Sequence, residues 1–203
     1  VDAKPRQIPA LIYKPKGQSG KKLPVLISIH GGPESQSTPT FNSNTQFLLK
    51  NLEIAIVVPN VRGSTGYGKT FTQLDNGFLR LNSVKDIESL LNWIRTQPDL
   101  DTSRVAVMGG SYGGTMVLMC MTELGHRIRC GVDLFGSSNL NTFLKNTSSY
   151  RQDLRRVEYG DERDPEMYKF LERIAPLNNL DRFTKPIFIY QGKNDPRVPL
   201  SES

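Results

Sequence analysis

The sequence has 203 residues, 37% hydrophobic and 23% charged, a globular balance with enough chain for one domain and a full core. No apolar run approaches the roughly 18 residues that cross a membrane. The formal net charge of +6 is scattered rather than striped, which argues against a nucleic-acid partner.

Val1-Asp-Ala-Lys-Pro5 has neither an initiator Met nor an apolar signal core, so whether a leader precedes it is left open. Residues 6 to 15 read as an edge strand, because Pro9 and Pro15 forbid a central one. Lys16 to Lys22 is a polar turn. Leu23 to Ile29 is a continuous apolar run, as in a strand covered on both faces, and it ends at His30-Gly-Gly-Pro33. A loop and a weakly helical stretch, Thr45 to Asn51, lead to a second buried strand, Glu53 to Val58. Val84, Ile87, Leu90, Leu91 and Ile94 fall at helical spacings, with Ser83 expected as the cap and Pro98 just past the end.

Arg104 to Met108 is a third strand. It runs into Gly109-Gly-Ser-Tyr-Gly113 and then a long apolar helix from Met116 to Leu124. Cys120 and Cys130 lie in apolar surroundings and are two only, so they read as core thiols rather than a disulfide framework. Gly131 to Phe135 is a fourth strand. Asn139 to Arg163 is polar and irregular, and its interleaved charges read as a solvated face. A short helix is expected from Glu166 to Ile174, and Pro186 to Tyr190 is a fifth strand, ending at Gln191-Gly-Lys-Asn-Asp195. Strands alternating with helices predict an α/β fold, a mostly parallel, doubly wound sheet with helices on both faces. Such sheets bind ligands beyond the carboxyl ends of their strands, where His30, Ser111 and Asp195 all fall.

Strand, G-x-S-x-G and helix in that order make a nucleophile elbow, with the Ser111 hydroxyl exposed on a tight turn. A phosphate-binding turn is the alternative, but no P-loop Lys-Ser/Thr ending follows. Acyl transfer needs donors for the oxyanion. The Tyr112 N–H opens the helix, and Gly32, or else Gly31, supplies a second N–H. His30 fits shaping that loop better than acting as the base. Asp195 follows Ser111 in the chain order that orients a histidine; Asp133, inside an apolar strand, competes for the part. The base itself is missing. Only eight residues follow Asp195 and none is His, while His126 lies roughly 20 Å from Ser111, at the far end of the helix. No metal-ligand spacing or cofactor cradle is present, and no cofactor is expected.

Together, His30-Gly-Gly-Pro33, Asn60-Val-Arg-Gly-Ser-Thr-Gly-Tyr-Gly68, Gly109-Gly-Ser-Tyr-Gly113, Glu158-Tyr-Gly-Asp161 and Gln191-Gly-Lys-Asn-Asp-Pro-Arg-Val-Pro199 span nearly the whole chain. In that order they resemble the catalytic domain of the prolyl oligopeptidase family of serine peptidases, in particular its acylaminoacyl-peptidase and dipeptidyl-peptidase branches. The resemblance implies Ser111 as nucleophile and Asp195 as acid. It implies a catalytic His a few tens of residues beyond Ser203, and a β-propeller upstream. It also implies that Arg197 binds a substrate carbonyl and that Leu140, Phe143 and Tyr150 build the pocket for the residue before the cut bond; a surface arginine and plain lid packing are the competing readings.

The expectation is therefore one α/β-hydrolase domain over residues 1–203, incomplete at its C-terminus. It belongs to a serine peptidase that cleaves short peptides through an acyl-enzyme and is inactive without its histidine. A carboxylesterase on the same fold and a non-catalytic interaction domain are the alternatives. No membrane partner is expected, homo-oligomerisation is left open, and the unpaired cysteines point to the cytoplasm. A periplasmic or secreted home would follow if a leader had been trimmed.

Overall fold

A computed structural model of the chain describes residues 6–17 and 20–203. Val1 to Pro5 and part of the expected Lys16–Lys22 turn lie outside them. The edge strand is β1 (Ala10–Tyr13), set between its two prolines. It is followed by β2 (Leu23–Ile29), α1 (Ser43–Asn51), β3 (Ala55–Pro59), a one-turn α2 (Lys69–Thr72) and α3 (Asn82–Thr96). Then come β4 (Leu100–Gly110), α4 (Tyr112–Leu124), β5 (Cys130–Leu134), α5 (Leu140–Asn146), α6 (Ser149–Tyr159), α7 (Pro165–Ile174) and β6 (Ile187–Tyr190).

The strands form one sheet in the order β1-β3-β2-β4-β5-β6. Only β1 runs antiparallel, against β3; the pairs from β3 to β6 are parallel. The period of two along β2 divides the core. Val25, Ile27 and Ile29 join α3 and α4 in the larger cluster, and Leu26 joins Leu49 of α1 and Ile56 in a smaller one. Helices therefore cover both faces. The order of connection reverses at β2, which lies between β3 and β4, so the loops after β2 and β4 meet at a topological switch point. Among the described residues no helix is long and apolar enough to cross a membrane.

Three sequence readings are corrected. Ser83 does not cap α3. Leu81 holds the cap position, and Ser83 is buried inside the first turn, its hydroxyl donating to the Arg80 carbonyl at 2.9 Å. Residues 139 to 163 are not irregular but carry α5 and α6, with the Asn139 side chain capping α5. The charged cluster is only in part a solvated face: Asp153 and Arg163 are exposed, but the Arg155 and Arg156 side chains are only 14% exposed. The reason for both misreadings is that α6 turns its apolar Leu154 and Val157 to solvent and buries Glu158 and Tyr159 instead. Its inward stripe is polar, and a search for apolar periodicity passes over it. Cys120 is buried as expected, whereas Cys130 is only half-buried; both are free thiols.

Candidate active site

The elbow is built by backbone sterics. β4 stays in register with β2 as far as Gly109 and with β5 as far as Gly110. The next residue, Ser111, has φ 55° and ψ −122°, a sparsely populated conformation that costs a non-glycine residue about 1–3 kcal/mol. Two hydrogen bonds hold it there. Its N–H donates to the Leu134 carbonyl at 2.9 Å, and its carbonyl accepts from Thr115 N–H at 3.0 Å, opening α4. The flanking glycines are steric necessities. A Cβ on Gly109 would lie 2.4 Å from the Gly113 carbonyl group, and one on Gly113 would lie 2.2 Å from the Ile29 oxygen.

Ser111 opens onto a cavity of about 240 Å³. Gly32, Phe143, Asp195 and Arg197 line it too, so the structure brings together residues drawn from four separate stretches of sequence. Asp195 sits in a tight turn whose Oδ1 accepts from the N–H groups of Arg197 at 2.8 Å and Val198 at 3.1 Å. That turn is tied to the start of α6 by two hydroxyls, Thr147 donating to the Arg197 carbonyl and Ser148 to the Pro196 carbonyl. Turn chemistry and carboxylate mounting thus coincide in one segment. A larger hollow, about 650 Å³ between β1 and α1, is lined by none of these residues.

Around the nucleophile, Gly31 approaches closely enough that a Cβ would stand 3.1 Å from the Gly110 carbonyl oxygen. Gly32 has φ 133°, and its carbonyl accepts from Arg155 Nη1 at 2.9 Å. His30 is half-buried, and burial lowers its pKa, which keeps the ring neutral. Its Nδ1 lies 2.6 Å from the Gly31 carbonyl oxygen and its Nε2 lies 2.8 Å from Ser64 Oγ, so both ring nitrogens are engaged in holding the loop. Tyr112 opens α4 and buries its side chain, with the hydroxyl donating to Asp75 Oδ2 at 2.9 Å. His126 lies past the opposite end of α4, in the turn Gly125–Arg127.

Leu140 and Tyr150 do not line the cavity. Leu140 is 3% exposed within the core, and Tyr150, on the outer side of α6, is 77% exposed. Phe143 does line it and packs edge-on against Tyr159, ring centroids 5.8 Å apart. Sequence reasoning missed Phe135, Arg151, Arg155, Tyr159 and Val198 as cavity residues. Arg151, Arg155 and Tyr159 recur every fourth residue, one face of a helix, so recognising α6 would have found them together.

Asp133, the competing carboxylate, is fully buried in β5 and does not line the cavity. Its Oδ1 accepts from Gly136 N–H at 2.8 Å, yet burial pushes its pKa up to about 6 from an ordinary 3.8. A raised carboxyl pKa means the folded state holds the proton after the unfolded chain has lost it. Stability contributed by this group is therefore full below about pH 4 and lost as pH rises to about 6, by on the order of 3 kcal/mol at neutral pH. Asp133→Asn is expected to remove that loss. Urea unfolding of the full-length protein should show variant and wild type equal near pH 4 and the variant more stable above pH 6; equal stability at every pH would contradict the assignment.

The prolyl oligopeptidase family pattern matches residues 39–203. Dipeptidyl aminopeptidase BIII of Pseudoxanthomonas mexicana is 36% identical over 192 residues, covering 92% of this chain and 27% of that protein. Dipeptidyl peptidase family member 6 of Caenorhabditis elegans is 37% identical, covering 88% and 25%. Among solved structures, a puromycin hydrolase superposes with a TM-score of 0.88 at 25% identity, covering 97% of this chain and 30% of its own. The chain thus spans about a quarter of the length of the curated relatives it matches.

Proposed function

The chain belongs to the prolyl oligopeptidase family, and from that premise we propose that it is the catalytic part of a longer serine peptidase that hydrolyses short peptides through an acyl-enzyme on Ser111. The observation that carries the reading is the strained Ser111 at a strand-to-helix junction, opening onto the same cavity as Asp195.

In this mechanism Ser111 Oγ attacks the scissile carbonyl carbon while a histidine takes the hydroxyl proton. The carbonyl oxygen becomes an oxyanion held by the N–H groups of Gly32 and Tyr112. Collapse breaks the C–N bond, and the histidine returns the proton to the departing amine. Water, deprotonated by the same histidine, then attacks the ester carbonyl; the bond to Ser111 Oγ breaks, the histidine returns the proton to that oxygen, and the acid is released. Asp195 holds the histidine's tautomer and stabilises its charge. With His30 engaged in its loop and His126 at the far end of α4, the base comes from chain outside these 203 residues. Arg197 offers a guanidinium fork to a substrate carbonyl, and Phe143 an apolar wall.

A panel of peptide anilides and short-chain aryl esters at equal concentration tests the assignment. The full-length protein is expected to turn over the anilides and the 203 residues alone to turn over neither. Esters preferred by orders of magnitude would make it a carboxylesterase instead, and vigorous turnover by the 203 residues alone would overturn the external base.

A further inference from the structure

Arg80 has no part in the chemistry above, and in sequence Gly77-Phe-Leu-Arg80 looks like an ordinary surface turn. In the fold it is among the largest fully buried side chains of the described residues, at 0% exposure. Its Nη1 donates to Asp75 Oδ2 at 2.6 Å and to the Tyr112 hydroxyl at 3.1 Å. The other arm of the fork, Nη2, donates to the main-chain carbonyl of Glu158 in α6. The guanidinium also lies over the neighbouring rings of Tyr112 and Tyr159, 5.3 and 4.9 Å from their centroids.

The contacts continue from Glu158. Its carboxylate pairs with Arg155 Nη1, and the same nitrogen donates to the Gly32 carbonyl at 2.9 Å. A run of contacts thus joins Tyr112 to Gly32 through Asp75, Arg80, Glu158 and Arg155, with Arg80 on the Glu158 main-chain carbonyl and Arg155 on its carboxylate, so that Glu158 itself links the two halves. Its two ends are the residues whose N–H groups are assigned to the oxyanion. They stand on different elements, the start of α4 and the loop after β2, and a shared oxyanion demands that both be set to within fractions of an ångström.

A guanidinium cannot shed its charge, and buried ion pairs contribute little to stability compared with apolar packing of the same volume. Geometry is what such a network supplies. We infer that Arg80 is a positioning residue for the oxyanion site. It holds Tyr112 directly and Gly32 through Glu158 and Arg155, so that the two donors are set as a pair rather than separately. The inference rests on the peptidase reading above.

The test is a double-mutant cycle in the full-length protein, with Tyr112→Phe breaking one end of the run and Glu158→Gln the other. The altered groups do not touch each other, so independent effects would multiply. Each single variant is expected to fold, to lower kcat by about ten- to a hundredfold with KM little changed, and to weaken a peptide aldehyde inhibitor in parallel, since its hemiacetal uses the oxyanion site. The double variant is expected to be no worse than the poorer single one. Multiplying effects, or folded variants with wild-type kcat, would overturn the inference. Should Tyr112→Phe fail to fold, Asp75→Asn takes its place. Ser111→Ala run alongside separates the two claims. If it retains turnover the peptidase reading falls; if it is dead while the network variants stay fully active, only the positioning role falls.

Discussion

Ser111→Ala in the full-length protein is expected to lower kcat for a peptide anilide by about 10⁵-fold or more, to the residue of rate enhancement that binding and oxyanion donors supply without a nucleophile. The fold should be untouched. Alanine keeps the Cβ that already stands at φ 55°, and the two hydrogen bonds that pin the residue are made by backbone atoms. The melting temperature is therefore expected to stay within about 2 °C of wild type, a stability change well under 1 kcal/mol. A large loss of both activity and stability would mean that the serine is structural. Unchanged activity would remove it from the chemistry altogether.

Asp195→Asn is expected to lower kcat by about 10⁴-fold at neutral pH, with the turn intact. The asparagine oxygen can still accept from the Arg197 and Val198 N–H groups. What is lost is the negative charge beside the incoming histidine, and an amide can also turn its NH₂ toward that ring and fix the wrong tautomer. Asp133→Asn supplies the contrast. That carboxyl lies beneath the elbow, its Oδ1 on Gly136 N–H and close against Gly114, with no access to the cavity. Its replacement should alter stability above pH 6 and leave kcat alone. If the pattern were reversed, with Asp133→Asn inactive and Asp195→Asn active, the acid would have been placed on the wrong strand.

Much of the site was legible because the elbow concentrates its requirements in one place. A buried strand, two glycine pairs around a serine and a buried helix are all written between Val105 and Leu124, and Gly109, Gly113 and Gly114 each answer to a contact no side chain could make. β2 was legible to the residue, since a strand buried on both faces is an unbroken apolar run. The region after β5 was not. α6 turns a salt bridge and a tyrosine inward rather than leucines, and local pattern takes a half-buried Arg155 or Arg156 for a surface one, because the ion partner that permits burial is specified by the fold. Arg80 carries no local signal either. Its partners Asp75, Tyr112 and Glu158 meet only once the segment between α2 and α3 has packed against α4 and α6. Tyr150 illustrates the converse. Its position in the sequence suggested a pocket wall, but a helical turn points it away from the cavity.

Covalent capture reads directly whether Ser111 is an activated nucleophile in the assembled protein. The full-length protein would be treated with a fluorophosphonate and the adduct mapped by peptide mass spectrometry. A single adduct on the peptide carrying Ser111, absent after Ser111→Ala and strongly slowed in Asp195→Asn, is the predicted result. No adduct on folded protein, or one that persists when Ser111 is replaced, would contradict it.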